Sequence, residues 1–165
     1  MPAQLFGLDI GRSFIKAVKV DSKGGKKVLA ACGIVPTPPG ALQSESVTEM
    51  NKVSEAIKAC VASAKIGSDR CAISLIESQV VSRLIQLPAL TDKELASAIS
   101  WEAEQYIPLP IKDVVLQYKI VGKNTNTDGS SGKMDVLLIA APKRVIEKYL
   151  KIVKAANLKP EFMET

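Results

Sequence analysis

Hydrophobic and polar residues alternate over the first 36 positions of the chain, which is the pattern of half-buried β-strands. Strands are predicted at Leu5 to Ile10, Phe14 to Val20 and Lys27 to Val35, with a tight glycine turn between the first two. A proline-rich stretch then ends the alternation. The opening of the chain is therefore predicted to be a meander of three consecutive strands.

The spacing of hydrophobic residues becomes helical after residue 46. Ser46 and Glu49 match a capping box, and apolar residues recur at helical intervals up to residue 64. Cys71 to Ile76 is short and nearly all apolar, as in a strand buried on both faces. Three strands, a helix and a returning buried strand predict an α/β unit.

The pattern restarts after Gln79 with a second set of elements. Two of its features are a capping box at Thr91 to Glu94 and Pro142 in the first turn of a helix. The predicted order is β-α-β-β-α-β, which is the ferredoxin-like arrangement of two helices on one face of a four-stranded sheet. The elements are a strand at Val80 to Leu87, a helix from Thr91, strands at Val114 to Val121 and Met134 to Ala140, a helix from Pro142, and a last strand beginning near residue 161.

Composition limits the possible locations and chemistry. Hydrophobic residues make up 47% of the chain and aromatic residues only 4%, so aliphatic side chains must fill the core. The longest apolar run, Val136 to Ala141, is far below the ~20 residues of a membrane span. The N-terminus lacks the basic and apolar segments of a signal peptide. We therefore expect a cytoplasmic protein that does not itself insert into a membrane.

Side-chain chemistry excludes several function classes. The chain has no histidine, which rules out histidine-based triads, general bases and metal sites. Cys32, Cys60 and Cys71 share no metal-ligand spacing and are expected to be small, reduced core residues. The net charge is +5, with lysines dispersed rather than clustered, which favours a solvated surface over a nucleic-acid footprint.

The turn between the first two predicted strands carries the strongest candidate chemistry. It brings together the carboxylate of Asp9, the turn residues Gly11, Arg12 and Ser13, and the ammonium group of Lys16. Backbone N–H groups and a lysine suit phosphate, and a carboxylate suits a metal ion or its water ligands. An ordinary hairpin, with Gly11 as its turn residue, explains the same pattern equally well.

The hairpin and two longer segments carry family resemblances. The hairpin resembles the first phosphate loop of the actin/Hsp70/sugar-kinase superfamily. Val81 to Leu90 and Trp101 to Pro110 are more specific and resemble the PilM family of type IV pilus assembly proteins, to which the cell-division protein FtsA is related. The resemblance covers all 165 residues but only about the first half of a family member, and the chain stops as a strand begins. We therefore expect a fragment.

The resemblance implies an α/β fold in two parts. Residues 1–79 would form an incomplete actin-like (ribonuclease H-like) subdomain. Residues 80–165 would form an inserted ferredoxin-like, two-layer subdomain and the start of a return strand. In a longer family member, Asp9 would face Mg²⁺ and the γ-phosphate of ATP, Gly11, Arg12 and Ser13 would line the phosphates, and Lys16 would contact them. The rest of that site would lie beyond residue 165, so neither ATP nor Mg²⁺ is expected on this chain.

The resemblance also implies partners. PilM-like proteins bind the cytoplasmic N-terminal tail of the inner-membrane protein PilN and work with other pilus assembly proteins, with no nucleic acid involved. The tail would lie in a cleft between the two subdomains, and the chain would be held near the inner membrane by that partner. The candidate walls are Ser78, Gln79, Val80, Val81 and Arg83, for which a plain connector is the alternative.

The leading interpretation is thus a nucleotide-binding scaffold rather than an enzyme. One alternative is a sugar or acetate kinase of the same superfamily, for which no catalytic carboxylate near a sugar is visible. Another is an RNA-binding module built on the ferredoxin-like half. Such modules stack bases on aromatic side chains of their central strands, and the candidate strands here have none.

Overall fold

The computed structural model describes residues 5–124 and 132–165, which fold as a mixed α/β chain. It forms two compact units, Met1–Ile76 with Glu147–Thr165, and Glu77–Ile146. The mixed α/β class is as predicted. In chain order the elements are β1 (Phe6–Ile10), β2 (Phe14–Lys23), β3 (Lys26–Pro36), α1 (Val47–Ser63), β4 (Arg70–Ser74), β5 (Val81–Pro88), α2 (Asp92–Glu104), β6 (Val114–Asn124), β7 (Lys133–Pro142), α3 (Lys143–Ala155) and β8 (Lys159–Glu164).

The first unit is built on a five-stranded sheet in the order β3-β2-β1-β4-β8. The predicted meander is confirmed, because β1, β2 and β3 pair antiparallel as consecutive neighbours. β4 pairs parallel with β1, and β8 pairs parallel with β4. Alternation along β1 buries Phe6, Leu8 and Ile10 on one face and leaves Gly7 and Asp9 on the other.

Two helices cover the buried face of this sheet. α1 contributes Val53 and Ile57 to the core, and α3 contributes Tyr149 and Val153. The helices touch each other, because the Ser54 hydroxyl donates a hydrogen bond of 2.9 Å to a backbone carbonyl of α3. The first unit is therefore a sheet with helices packed on one face.

The second unit is a three-stranded antiparallel sheet in the order β5-β7-β6, with α2 packed on one face. The predicted capping box at the start of α2 is confirmed: Thr91 donates its N–H to Glu94, and Glu94 returns an N–H to the Thr91 hydroxyl. The main buried residues of the second unit are Ile85, Leu87, Leu95, Ile99, Ala103, Met134, Val136 and Leu138.

The ferredoxin-like topology predicted for residues 80–165 is wrong. Most of α3 and all of β8 belong to the first unit, where β8 pairs with β4 and leaves the inserted sheet with three strands and one helix. The predicted division into residues 1–79 and 80–165 differs from the observed units for the same reason, because the second unit ends at Ile146. An apolar stripe on a helix shows that the helix is buried, but it does not identify the sheet that buries it.

Two local predictions also need correction, and a third lies mostly outside the described residues. Ser46 is the N-cap residue of α1, but its side chain makes no capping hydrogen bond, and Glu49 pairs with Lys52 at 2.6 Å instead. Cys60 and Cys71 are buried as predicted, whereas Cys32 is exposed because it lies on the uncovered face of β3. Most of the polar loop predicted between β6 and β7, residues 125–131, lies outside the described residues.

A close backbone approach predicts the effect of a substitution at Gly33. A Cβ there would lie 2.8 Å from the Cys60 carbonyl oxygen and 2.9 Å from the Ala64 Cβ, so α1 would have to shift. Gly33→Ala should lower the free energy of unfolding by about 1–3 kcal/mol, measured by urea denaturation. Gly67→Ala is the control, because no atom lies within 4 Å of a Cβ at that position. Equal stability of the two variants would contradict the packing of α1 on β3.

An ion pair at the edge of the first sheet predicts a pH dependence. Arg70 on β4 donates hydrogen bonds to both carboxylate oxygens of Glu161 on β8, which lowers the pKa of Glu161. Because the pKa is lower in the folded state, this stabilisation is complete above the unfolded pKa of Glu161. It is lost as the pH falls through the folded value.

Glu161→Gln should therefore lower the melting temperature at pH 7, and its difference from wild type should shrink toward pH 3. Thermal unfolding followed by circular dichroism at a series of pH values measures this. Glu104→Gln, an exposed change on α2, is the control. A difference between Glu161→Gln and wild type that does not change with pH would contradict the role of the ion pair.

Candidate functional site

The β1–β2 hairpin places two of the predicted residues directly opposite each other. Asp9 and Lys16 are register partners on neighbouring strands, and the Lys16 ammonium lies 3.2 Å from the Asp9 carboxylate. Asp9 is also the register partner of Ser74 on β4, whose hydroxyl donates a 2.7 Å hydrogen bond to the other carboxylate oxygen. We call Asp9, Lys16 and Ser74 the Asp9 cluster. Its carboxylate is held from both neighbouring strands.

The turn itself is tight and is braced from the end of β3. Gly11 donates its N–H to the Phe14 carbonyl at 3.0 Å, and a Cβ on Gly11 would lie 2.8 Å from that oxygen, so the position requires glycine. The buried Thr37 donates its hydroxyl to the Gly11 carbonyl and its N–H to the Ser13 carbonyl. The side chains of Arg12 and Ser13 are exposed.

The Asp9 cluster is open to a ligand, and the charge of Asp9 acts on a buried phenol of α3. The Lys16 and Asp9 side chains are 52% and 46% exposed, so neither is sealed off by its partner. Tyr149 of α3 is fully buried, and its hydroxyl has no hydrogen-bond partner within residues 5–124 and 132–165. Burial, and secondarily the charge of Asp9, raises the pKa of Tyr149 to about 12, so the phenol stays protonated.

The Asp9 cluster opens into a shallow groove of about 320 Å³ on the uncovered face of the first sheet. Its donor groups fit half of a metal–phosphate site: one carboxylate for a hydrated cation and one ammonium for a phosphate. Within the described residues, no group of three acidic or cysteine side chains could enclose a metal ion. The groove is lined by Gly7, Leu8, Asp9, Lys16, Val18, Ala72, Ile73, Ser74 and Glu164.

The residues predicted to bind a peptide form one segment at the start of the second unit. Ser78 and Gln79 lie in a short 3₁₀ turn, Val80 follows it, and Val81 and Arg83 lie on β5. Val81 packs against the core of the second unit, whereas the Arg83 side chain is exposed. Arg83 is therefore the better test position, because a charge at Val81 would also disturb the core.

Two residues of the site were missed from the sequence. Ser74 lies in a segment predicted as a buried strand, and Thr37 lies in the proline-rich stretch. Ser74 lies beside Asp9 because β4 pairs parallel to β1. A sequence analysis that assumed this pairing could have found Ser74. Thr37 has no comparable signal, because its role depends on where the chain leaves β3.

Comparison with known proteins identifies the family. A family model described as type IV pilus assembly protein PilM matches residues 7–165. The chain belongs to the PilM family. This membership favours a pilus assembly protein over the sugar kinase and RNA-binding alternatives.

Solved structures agree with the family match. A PilM chain from a structure titled "PilM-PilN type IV pilus biogenesis complex" has a TM-score of 0.83 and 31% sequence identity. The match covers 98% of this chain and 47% of that one, so this chain spans about half the length of the PilM it resembles. The predicted resemblance to the first half of an actin-like PilM protein is confirmed.

A second structure shares the fold alone. It is the cytoplasmic domain of EpsL, an inner-membrane component of the type II secretion system of Vibrio cholerae, with a TM-score of 0.59 and 12% identity. That match covers 98% of this chain and 57% of EpsL. In the part of the PilM-family chain that the structure describes, none of the helices has the length and hydrophobicity to cross a membrane.

The buried, unpaired hydroxyl of Tyr149 generates a prediction. Removing a buried hydroxyl without a partner relieves a desolvation cost, so Tyr149→Phe should leave stability unchanged or raise it by up to about 1 kcal/mol. Chemical denaturation measures the change. Ser54→Ala, which removes a buried hydroxyl that does have partners, should be destabilising and is the control. A loss of stability in Tyr149→Phe would show that the phenol has a partner in solution.

Proposed function

We propose that this chain acts in type IV pilus assembly as a cytoplasmic scaffold that binds the cytoplasmic tail of a PilN-like inner-membrane protein. The observation that carries the proposal is the match of residues 7–165 to the PilM family, together with a TM-score of 0.83 to a PilM from a PilM–PilN complex. Binding, rather than turnover, is its proposed role, and other pilus assembly proteins are its further partners.

A free strand edge supports peptide binding. Among residues 5–124 and 132–165, β5 has a hydrogen-bonded neighbour on one side only, so its other edge offers backbone N–H and carbonyl groups to an extended peptide. Ser78, Gln79 and Val80 lead into this strand, and Arg83 projects an exposed guanidinium from it. We assign the tail-binding contacts to this segment, with backbone pairing supplying affinity and Arg83 supplying selectivity for an acidic or polar side chain.

The Asp9 cluster supports nucleotide binding by a longer PilM-family protein. Lys16 would neutralise phosphate charge, Asp9 would hold the water ligands of Mg²⁺, and Ser74 would fix the orientation of that carboxylate. Gly11 would let the backbone approach a phosphate closely, with Arg12 and Ser13 beside it. Bound Mg²⁺ would supply charge neutralisation at the phosphates. Since this chain spans 47% of the solved PilM, it offers only one side of such a site.

The tail-binding proposal predicts the effect of a charge reversal. A fluorescently labelled peptide of the PilN cytoplasmic tail should bind the chain saturably in an anisotropy titration. Arg83→Glu should weaken it about tenfold, equivalent to about 1.4 kcal/mol. Lys119→Glu makes the same charge change on β6, at the opposite edge of the same sheet, and should have no effect. An absence of saturable binding to the wild-type chain would overturn the scaffold proposal.

The nucleotide proposal predicts a contrast between this chain and longer family members. Calorimetric titration of Mg-ATP into the 165-residue chain should show no saturation at low micromolar concentrations, because one side of the site is insufficient. In a longer protein carrying this sequence, Asp9→Ala or Lys16→Ala should weaken nucleotide binding while unfolding stays cooperative. Unchanged affinity in both variants would remove the Asp9 cluster from the nucleotide site.

A further inference from the structure

The tip of the β2–β3 hairpin extends beyond the other strands of the first sheet. β1 pairs with β2 no further than Gly7 and Val18, whereas β2 and β3 stay paired as far as Lys23 and Lys26. About 13 Å of paired strand therefore extends past the start of β1, since each residue adds about 3.3 Å. We call residues 20–29 the hairpin arm. In the part of the chain that the structure describes, no third strand pairs with it.

The tip of the hairpin arm concentrates positive charge. Gly24 and Gly25 form its two-residue turn, and both have positive φ (57° and 76°), as in a type I′ turn. Lys23 and Lys26 flank this turn as register partners, and Lys27 follows. Like charges directly opposite each other destabilise a strand pair, and an isolated two-stranded segment is only marginally stable. A bound anionic surface would neutralise this repulsion.

The fold brings further lysines to the same end of the first sheet. β1, β4 and β8 are parallel and begin at the end from which the hairpin arm extends, so the connections from α1 to β4 and from α3 to β8 return there. Lys65 lies in the first connection, and Lys151 and Lys154 lie in the last two turns of α3. We call this surface the lysine end; its exposed members are Lys23, Lys26, Lys27, Lys65, Lys151 and Lys154.

The positive charge of the lysine end is not cancelled by its carboxylates. Each of these carboxylates already has a basic partner; the pairs are Asp21 with Lys19, Asp69 with Lys159, and Glu161 with Arg70. Within residues 5–124 and 132–165, the six members of the lysine end take part in no ion pair. The first unit has 14 basic and 9 acidic residues and the second has 8 of each, so the first unit carries the whole net charge of +5.

The hairpin arm combines lysines with exposed aliphatic side chains. Val28 and Leu29 follow Lys27 and are 40% and 60% exposed. Elements that lie on a membrane surface have this composition, because lysines attract anionic headgroups while apolar side chains enter the boundary with the acyl chains. Surfaces that bind single-stranded nucleic acid add aromatic side chains for stacking, and the arm has none. The composition therefore favours a lipid surface.

We propose that the lysine end binds the anionic phospholipid surface of the inner membrane, with the hairpin arm making the first contact. The choice of this membrane rests on the proposed function, in which the partner is a PilN-like inner-membrane protein. Each lysine near an anionic surface strengthens binding about fivefold. Tail binding adds to this effect, because it holds the chain at a high effective concentration near the membrane. The Asp9 cluster lies toward the other end of β1 and stays open.

Flotation with phospholipid vesicles tests the membrane contact directly. Vesicles of phosphatidylethanolamine and phosphatidylglycerol should carry the wild-type chain with them at low ionic strength, whereas vesicles of phosphatidylcholine should not. Added salt should release the chain, because it screens the attraction between exposed lysines and headgroups. No flotation with the phosphatidylglycerol vesicles, or equal flotation with both kinds, overturns the inference.

Neutralising the arm locates the contact. The arm variant combines Lys23→Gln, Lys26→Gln and Lys27→Gln, and it removes the repulsion between opposed lysines, so it should fold. Its affinity for the phosphatidylglycerol vesicles should fall at least tenfold. The control variant has the same net charge and neutralises three exposed lysines of the second unit, Lys93→Gln, Lys112→Gln and Lys119→Gln. The control should bind as the wild type does, and equal loss in the two variants overturns the assignment to the lysine end.

Two further titrations separate the other outcomes. A short DNA duplex that binds the wild-type chain but not the arm variant, while the vesicles bind neither, would assign the surface to nucleic acid and overturn the inference. The PilN tail peptide should bind the arm variant as tightly as the wild type. Tail binding by a chain that ignores the vesicles overturns this inference alone. Vesicle binding by a chain that ignores the tail supports it and overturns the scaffold proposal.

Discussion

The parallel pairing of β8 with β4 is the constraint on which the first unit depends. Backbone hydrogen bonds anchor β8 at both ends, from Lys159 to the Asp69 carbonyl at 2.6 Å and from Leu75 to the Glu164 carbonyl at 2.7 Å. This pairing fixes the end of α3, whose Tyr149 is fully buried in the core of the first unit.

The sequence predicted the elements well because their signals are local. Alternation over 36 residues located three strands, and the capping box at Thr91 located the start of α2. The assignment of α3 and β8 to a sheet could not be predicted in this way. Their hydrophobic patterns would fit either sheet, and the choice is made by the open edge of β4, which is distant in sequence.

In the candidate site too, the residues close in sequence could be predicted and the residues distant in sequence could not. Asp9 and Lys16 are seven positions apart across one hairpin, so a local pattern could bring them together. Ser74 reaches the same carboxylate from β4, across a separation that no short motif spans. Cys32 shows that local sequence can also mislead. Its apolar neighbours in sequence suggested burial, but strand alternation placed it on the uncovered face.

The insertion of the second unit between β4 and β8 has a consequence for folding kinetics. Roughly 85 residues must be ordered or looped out before β8 can reach β4, and closing a loop of this length slows the formation of non-local contacts. On the ribosome the second unit emerges complete before β8 does. Throughout that interval β4 presents an unpaired, apolar edge, which is a site of misassembly for a nascent chain. The second unit can therefore fold first. Its folding shortens the distance between β4 and β8, so that β8 can pair with the open edge of β4.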